Sequence, residues 1–288
     1  ELSYSELHRL ARVNCRRLIE MGLLALYAGN MPRKFFEERI GFSDDFRESF
    51  REFEGKGPLL ALLAHNTLTE MVAFAPLLLG FEKDRAAAIY RPLNQPKLDE
   101  WVKRTRQRGG LKLLSRRTKL DTAIHHLRRG GYLALLADQS AGGAGLLGRV
   151  AGRTASLSPL PDLLQNRTDA AVLFVNIRRT GFFRGELHAT TADPNGGPVS
   201  IQFSDWLGGK LVSDPEWSVD WLWMHKRWKT QKKPPERLRL SMKRGFTEDF
   251  FPVPEDRSRA DRFLLRLPNW LGDIVMVAPL IRAIRKAR

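Results

Sequence analysis

His65 and Glu70, with four residues between them, are the pair whose types and spacing could do chemistry. An imidazole whose one ring N–H is held by a carboxylate has its other nitrogen free to take a proton from an attacking hydroxyl. The same residues have a plain structural use: a hydrogen-bonded core histidine, and an acid near a helix start favoured by the macrodipole. Spacing alone does not separate the two readings.

The elements that must position this pair are legible around it. Leu59 to Ala64 is an apolar run bounded by Gly57-Pro58, too short for a lone helix, and reads as a strand buried on both faces. From Thr67 the period changes, with Leu68, Met71, Val72, Ala75, Leu78 and Leu79 at helical spacing and Asn66 or Thr67 able to cap the start. His65 then sits at the C-terminal end of a strand and Glu70 near the first turn of a helix. That edge is where ligands bind in open α/β sheets.

Further along, Ala86 to Tyr90, Leu111 to Leu114, Tyr132 to Ala137 and Ala171 to Ile177 read as strands. Glu186 to Thr191 reads as an antiparallel neighbour of the last. Helices are expected over Leu120 to Arg129, Thr154 to Gln165 and Trp217 to Trp228. The last has Trp221, Trp223, His225 and Trp228 as core or an interfacial aromatic belt. The strand at Tyr132 ends on Asp138-Gln139. The glycine-rich stretch Ala141 to Gly145 lacks the Lys-Ser/Thr of a P-loop and reads as a flexible loop over a site. His125 and His126 have no metal-ligand companions and are assigned no role; no metal site and no cofactor is expected. The pattern is α/β, a mixed and mostly parallel central sheet flanked by helices.

The amino-terminal segment carries Leu7, Leu10, Val13, Leu18, Met21, Leu24 and Leu26 as the apolar side of a long helix. Residues 32–53, rich in phenylalanine, read as further short amphipathic helix used for packing, with a membrane-facing surface as the minority reading. With 288 residues the chain can bury one sizeable core or two smaller ones. Its lone cysteine, Cys15, excludes an intramolecular disulfide framework. Forty-eight Lys and Arg against 32 Asp and Glu give a net charge of +16. Such a balance calls for an anionic partner: nucleic acid, an anionic membrane face, a phosphorylated lipid or an acidic carrier protein. Eight of the cations crowd between Lys103 and Lys119, and a solvated face accounts for most of them. No recognisable nucleic-acid reader motif accompanies the charge, so a nucleic-acid-binding protein is the weaker class. No apolar run approaches the length of a membrane-spanning helix. The chain opens on Glu1 directly into the helical pattern, as if a preceding segment, a membrane anchor included, were missing.

Taken in order, His65-x4-Glu70, Tyr90-Arg91-Pro92, Arg106-x-Arg108, Asp138 after a strand, Gly152-Arg153-Thr154-Ala155 and Trp223-Met224-His225-Lys226-Arg227-Trp228-Lys229 carry a resemblance. Over roughly residues 1 to 232 the chain resembles the lipid A biosynthesis lauroyl/myristoyl acyltransferases. It departs in having Thr67-Leu68-Thr69 where many members have Gly-Asn-Trp. The resemblance implies a glycerolipid acyltransferase-like fold in residues 1–250, at the cytoplasmic face of the inner membrane. It implies a fatty acyl group moved from acyl carrier protein, or acyl-CoA, to a hydroxyl of a lipid A precursor. By resemblance His65 is the base and Glu70 its partner, with Arg91, Arg106, Asp138 and Gln139 on the substrate side. A phospholipid or phosphatidylinositol-mannoside acyltransferase of the same superfamily is the alternative. After a charged, proline-containing linker at 251–261, Arg262 to Met276 restarts as strand, glycine turn and helix. Residues 262–288 look like the opening of a heptosyltransferase-type glycosyltransferase, with Asp273 at an active-site position. That fold needs two Rossmann-like halves, so this piece is not expected to act alone.

Overall fold

A computed structural model describes residues 3–115 and 120–229. The linker at 251–261, the glycosyltransferase-like start at 262–288, and Arg116, Arg117 and Lys119 of the basic run lie outside the described residues.

Helix α1 (Tyr4–Tyr27) starts at Ser3, whose side chain accepts from the Glu6 N–H while the Glu6 carboxylate returns to the Ser3 N–H. This reciprocal pair satisfies two donors that a helix start leaves free. Its inward face is not the expected leucine stripe. Leu24 is buried, but so are Asn14 and Glu20, while Leu7 and Leu26 are 51% and 58% exposed. Tertiary partners decide this: Asn14 donates to the carbonyls of Val219 and Trp221, and Glu20 accepts from Arg179 and from the Phe183 N–H. The next stretch is two short helices around a strand, α2 (Arg33–Glu37), β1 (Ile40–Phe42) and α3 (Asp44–Phe53), and Phe36, Phe46 and Phe50 are buried in packing.

Strand β2 (Leu59–Leu63) leads to two short helices, α4 (Thr69–Val72) and α5 (Ala75–Leu78), in place of one long one. Pro76 sits in the first turn of α5, where its missing N–H and its ring cannot continue α4. Then follow β3 (Ala86–Tyr90), α6 (Pro96–Arg108), β4 (Leu111–Ser115), α7 (Leu120–Arg128) and β5 (Tyr132–Leu136). The helix expected over Thr154 to Gln165 is instead a hairpin, β6 (Leu146–Val150) and β7 (Arg153–Leu157), followed by α8 (Leu160–Thr168). Its two-residue turn has Ala151 and Gly152 both at positive φ, 49° and 71°, the backbone that matches strand twist in a tight hairpin. Pro159 and Pro161 place the helix start beyond the strand. Strands β8 (Ala171–Gly181) and β9 (Arg184–Thr191) and helices α9 (Val199–Ser213) and α10 (Pro215–Asp220) complete the described part. Against the expected helix to Trp228, α10 stops at Asp220. There the Thr67 N–H bonds the Asp220 carbonyl, the Leu222 N–H bonds the His65 carbonyl, and Trp221 bridges to Asn66.

The main sheet has seven strands in the order β1-β9-β8-β2-β5-β3-β4. Every neighbouring pair is parallel except β8 with β9, so the sheet is mixed and mostly parallel. Alternate residues of the central strands serve two cores. Leu60, Leu62, Leu133, Leu135, Val172 and Phe174 meet the cluster containing Leu127, Leu164, Phe203, Trp217 and Trp221. Leu59, Leu63, Leu173 and Val175 meet the one containing Leu24, Phe36, Phe50, Leu68 and Phe74. Burial on both faces accounts for the unbroken apolar runs, each fully buried leucine contributing about 1.5–3 kcal/mol.

Candidate active site

Parallel pairing of β2 and β5 sets Leu59 against Tyr132 and Leu63 against Leu136. Two residues further along each chain, the same register brings His65 beside Asp138. The Ala137 N–H bonds the Leu63 carbonyl, extending the ladder past the strand ends. The contact is direct: His65 Nδ1 lies 2.5 Å from Asp138 Oδ1, and the His65 backbone N–H donates to Oδ2 at 2.9 Å. Trp221, fully buried, donates from Nε1 to the same Oδ2 at 2.8 Å. Asp138 is itself completely buried. Burial alone would raise its pKa, but the hydrogen bonds and charge of His65 and the bond from Trp221 outweigh it and hold the carboxyl below the usual range. Asp138 is thus an ionised acceptor that fixes the hydrogen on His65 Nδ1 and turns Nε2 away from itself; whenever the ring is neutral, Nε2 is the lone pair.

This corrects the expected pairing: the carboxylate on His65 is Asp138, and Glu70 is engaged elsewhere. Glu70 receives a two-pronged ion pair from Arg106, Nη2 to Oε1 at 2.7 Å and Nε to Oε2 at 3.2 Å. Arg106 is largely buried by this arrangement. Desolvation works against its charge, but the hydrogen bond and charge of Glu70 prevail and its pKa is raised. Gln139 follows Asp138 and bridges His65 to His225, the latter a residue named in the motif without a role. Arg91 stands exposed just past β3. Nothing in the described contacts brings it to His65.

The loop from His65 to Glu70 is strapped from below. Asn66 Oδ1 accepts the Leu68 N–H, the Thr67 hydroxyl donates to Asp220 Oδ1, and Arg179 reaches Thr67 Oγ1 at 2.9 Å. Arg179 in turn pairs with Asp220 at 3.0 Å and Glu20 at 2.6 Å, and Arg17 adds a second cation to Asp220 at 2.9 Å. Glu20 and Asp220 are 9% and 1% exposed, so each charge there depends on its partner. On the other side Arg227 is buried and donates to the Ser156 carbonyl at 2.9 Å. Burial lowers its pKa to about 10, partly offset by Asp138. The Ser156 hydroxyl donates to the Gly142 carbonyl at 2.6 Å, tying the glycine-rich turn after Gln139 to β7.

Next to Glu70 and Arg106 an apolar cavity of about 170 Å³ runs under the sheet face that carries Leu59 and Leu63. Its floor crosses the strands at a row of small side chains, Ala61 opposite Ala134 and Ala134 opposite Ala88. Glu70, Arg106 and Thr69 give it one polar rim, whereas Leu111, Leu113, Leu173 and Val175 line the rest.

A sequence profile of the family described as bacterial lipid A biosynthesis acyltransferase matches residues 16–230. The chain belongs to that family. It is therefore an acyltransferase of lipid A biosynthesis, and the matched span contains the dyad, the Glu70–Arg106 pair and the cavity. No individual curated protein matches the chain. Among the described residues no helix is long and apolar enough to cross a membrane.

Proposed function

We propose that this acyltransferase moves a fatty acyl chain from acyl carrier protein to a hydroxyl of a lipid A precursor, with His65 as general base. The observation that carries the reading is the buried Asp138 on His65 Nδ1, which leaves Nε2 as the proton acceptor. The acceptor hydroxyl gives its proton to Nε2 and attacks the thioester carbonyl. The collapsing intermediate expels the thiolate, which takes the proton back from the imidazolium. Asp138 stabilises that imidazolium without itself being protonated. Arg106, its guanidinium fixed by Glu70, supplies positive charge toward the carbonyl oxygen, where negative charge grows. Glu70 is then a positioning residue for Arg106. The apolar cavity takes the acyl chain. Work at the cytoplasmic face of the inner membrane fits the +16 charge, with exposed cations such as Arg104 and Arg91 toward anionic headgroups or the acidic carrier protein.

The test is transfer by the purified chain, followed by mass spectrometry of the lipid product. Donors are acyl carrier protein and CoA thioesters; acceptors are a lipid A precursor, lysophosphatidate, and phosphatidylinositol mannoside. Product from the carrier-protein donor with the lipid A precursor alone supports the reading. Preference for either other acceptor, or for CoA, overturns that part of it.

A further inference from the structure

Gln139 lies between two imidazoles. Its Nε2 is 3.1 Å from His65 Nε2 and 2.9 Å from His225 Nε2, and the rings stand 4.9 Å apart at 71°. Proton positions follow from Asp138. Because that carboxylate only accepts, His65 Nδ1 carries the hydrogen, and in the neutral ring, the form that acts as a base, Nε2 is a lone pair to which Gln139 presents its NH2 group rather than its oxygen. The second N–H of the same group meets His225 Nε2. Burial lowers the pKa of His225, against the opposing pull of Asp138, so its nitrogen can accept as well.

We propose that Gln139, held by His225, is a displaceable cap on the catalytic base that directs the acyl group to the lipid acceptor and away from water. The proposal rests on His65 being the base. In this structure the nitrogen needed for proton removal faces an amide N–H of Gln139. A lipid acceptor brings binding energy from its remote parts to displace the amide; a water molecule brings only its own hydrogen bonds. In transfer, the hydroxyl proton goes to His65 Nε2, the O–C bond forms, the C–S bond breaks, and the thiolate is reprotonated by the imidazolium. If water takes the same seat, the identical steps release a free fatty acid and the thiol.

The experiment measures, on the full chain, fatty-acid release from acyl carrier protein thioester without acceptor and lipid product with acceptor. Gln139→Ala removes the cap, and His225→Phe removes its anchor. One net hydrogen bond is worth a factor of about 2–10, so each variant is expected to raise the ratio of hydrolysis to transfer by that much. The double variant should exceed the larger single effect little, since His225 acts through Gln139. Modification of His65 Nε2 by diethyl pyrocarbonate should also quicken in Gln139→Ala. An unchanged ratio in folded Gln139→Ala protein overturns the cap, as does a His225→Phe variant that alters only the acceptor KM. His65→Ala keeps the two ideas apart. Loss of both reactions there with an unchanged ratio in Gln139→Ala refutes the cap alone, whereas retention of both refutes the base itself.

Discussion

Replacing Ala134 by leucine puts an isobutyl group into the middle of the alanine row on the cavity floor. It adds three carbons to the floor of the cavity, which Ala134 lines, and so obstructs the space beyond them. A donor chain that reaches past this point loses burial of about three methylenes at ~0.8 kcal/mol each. That is ~2.4 kcal/mol in the transition state, or roughly 50-fold in kcat/KM. A donor about three carbons shorter should be nearly unaffected. The assay is competition between acyl carrier protein thioesters of graded length, with lipid products resolved by mass. Because the new side chain enters existing space, ligand-free thermal stability should not fall by the amount that overfilling a packed core costs. A folded Ala134→Leu protein with an unchanged length profile would refute the assignment of this cavity to the acyl chain.

Other substitutions test the surrounding ion pairs. Glu70→Gln should lower kcat/KM by about 10- to 100-fold, the worth of a charge-assisted hydrogen bond, with Arg106→Lys comparably impaired because an ammonium cannot form the two-pronged contact. Steady-state kinetics reads both. Arg179→Ala takes the cation from the Glu20 carboxylate, 9% exposed, and leaves Asp220 to Arg17 and Thr67, and should cost about 3–5 kcal/mol of stability in urea denaturation. Asp138, held below the usual carboxylate range, contributes stability that is fully present above its unfolded pKa of about 4 and lost as pH falls through the lowered folded value. The stability gap between the wild type and Asp138→Asn, followed by denaturation from pH 7 downward, should therefore close below about pH 4.

The periodic parts of the fold were readable because burial on both faces leaves an unbroken apolar run. Ala86 to Tyr90 is a strand as expected, and the strands expected over Leu59 to Ala64 and Tyr132 to Ala137 each end one residue earlier, at Leu63 and Leu136. Where tertiary bonds override local preference the reading failed. Trp221 is extended because the backbone of His65 to Thr67 pairs with the stretch around it. Residues 153–157 pair as a hairpin that helical periodicity did not reveal. Proximity along the chain points to Glu70 as the partner of His65, whereas the fold supplies Asp138. A signal for it existed: Leu60-Ala61-Leu62-Leu63-Ala64-His65 and Leu133-Ala134-Leu135-Leu136-Ala137-Asp138 are the same word with a different last letter. Two like strands paired in parallel and in register set their final residues side by side. Glu70 instead meets Arg106, and α1 turns Glu20 inward toward Arg179. Contacts between residues so distant in sequence leave no periodic trace.

The central claim, that His65 and Asp138 act as one base, is tested most directly by two double-mutant cycles on acyl transfer, His65→Ala with Asp138→Asn and His65→Ala with Glu70→Gln. His65→Ala alone should lower kcat by about 10²–10⁴-fold. Adding Asp138→Asn should make the enzyme little worse, since two residues working as a unit are lost together. Adding Glu70→Gln should multiply the loss, because Glu70 serves Arg106. Multiplying losses for His65 with Asp138, and non-additive ones for His65 with Glu70, would contradict the account.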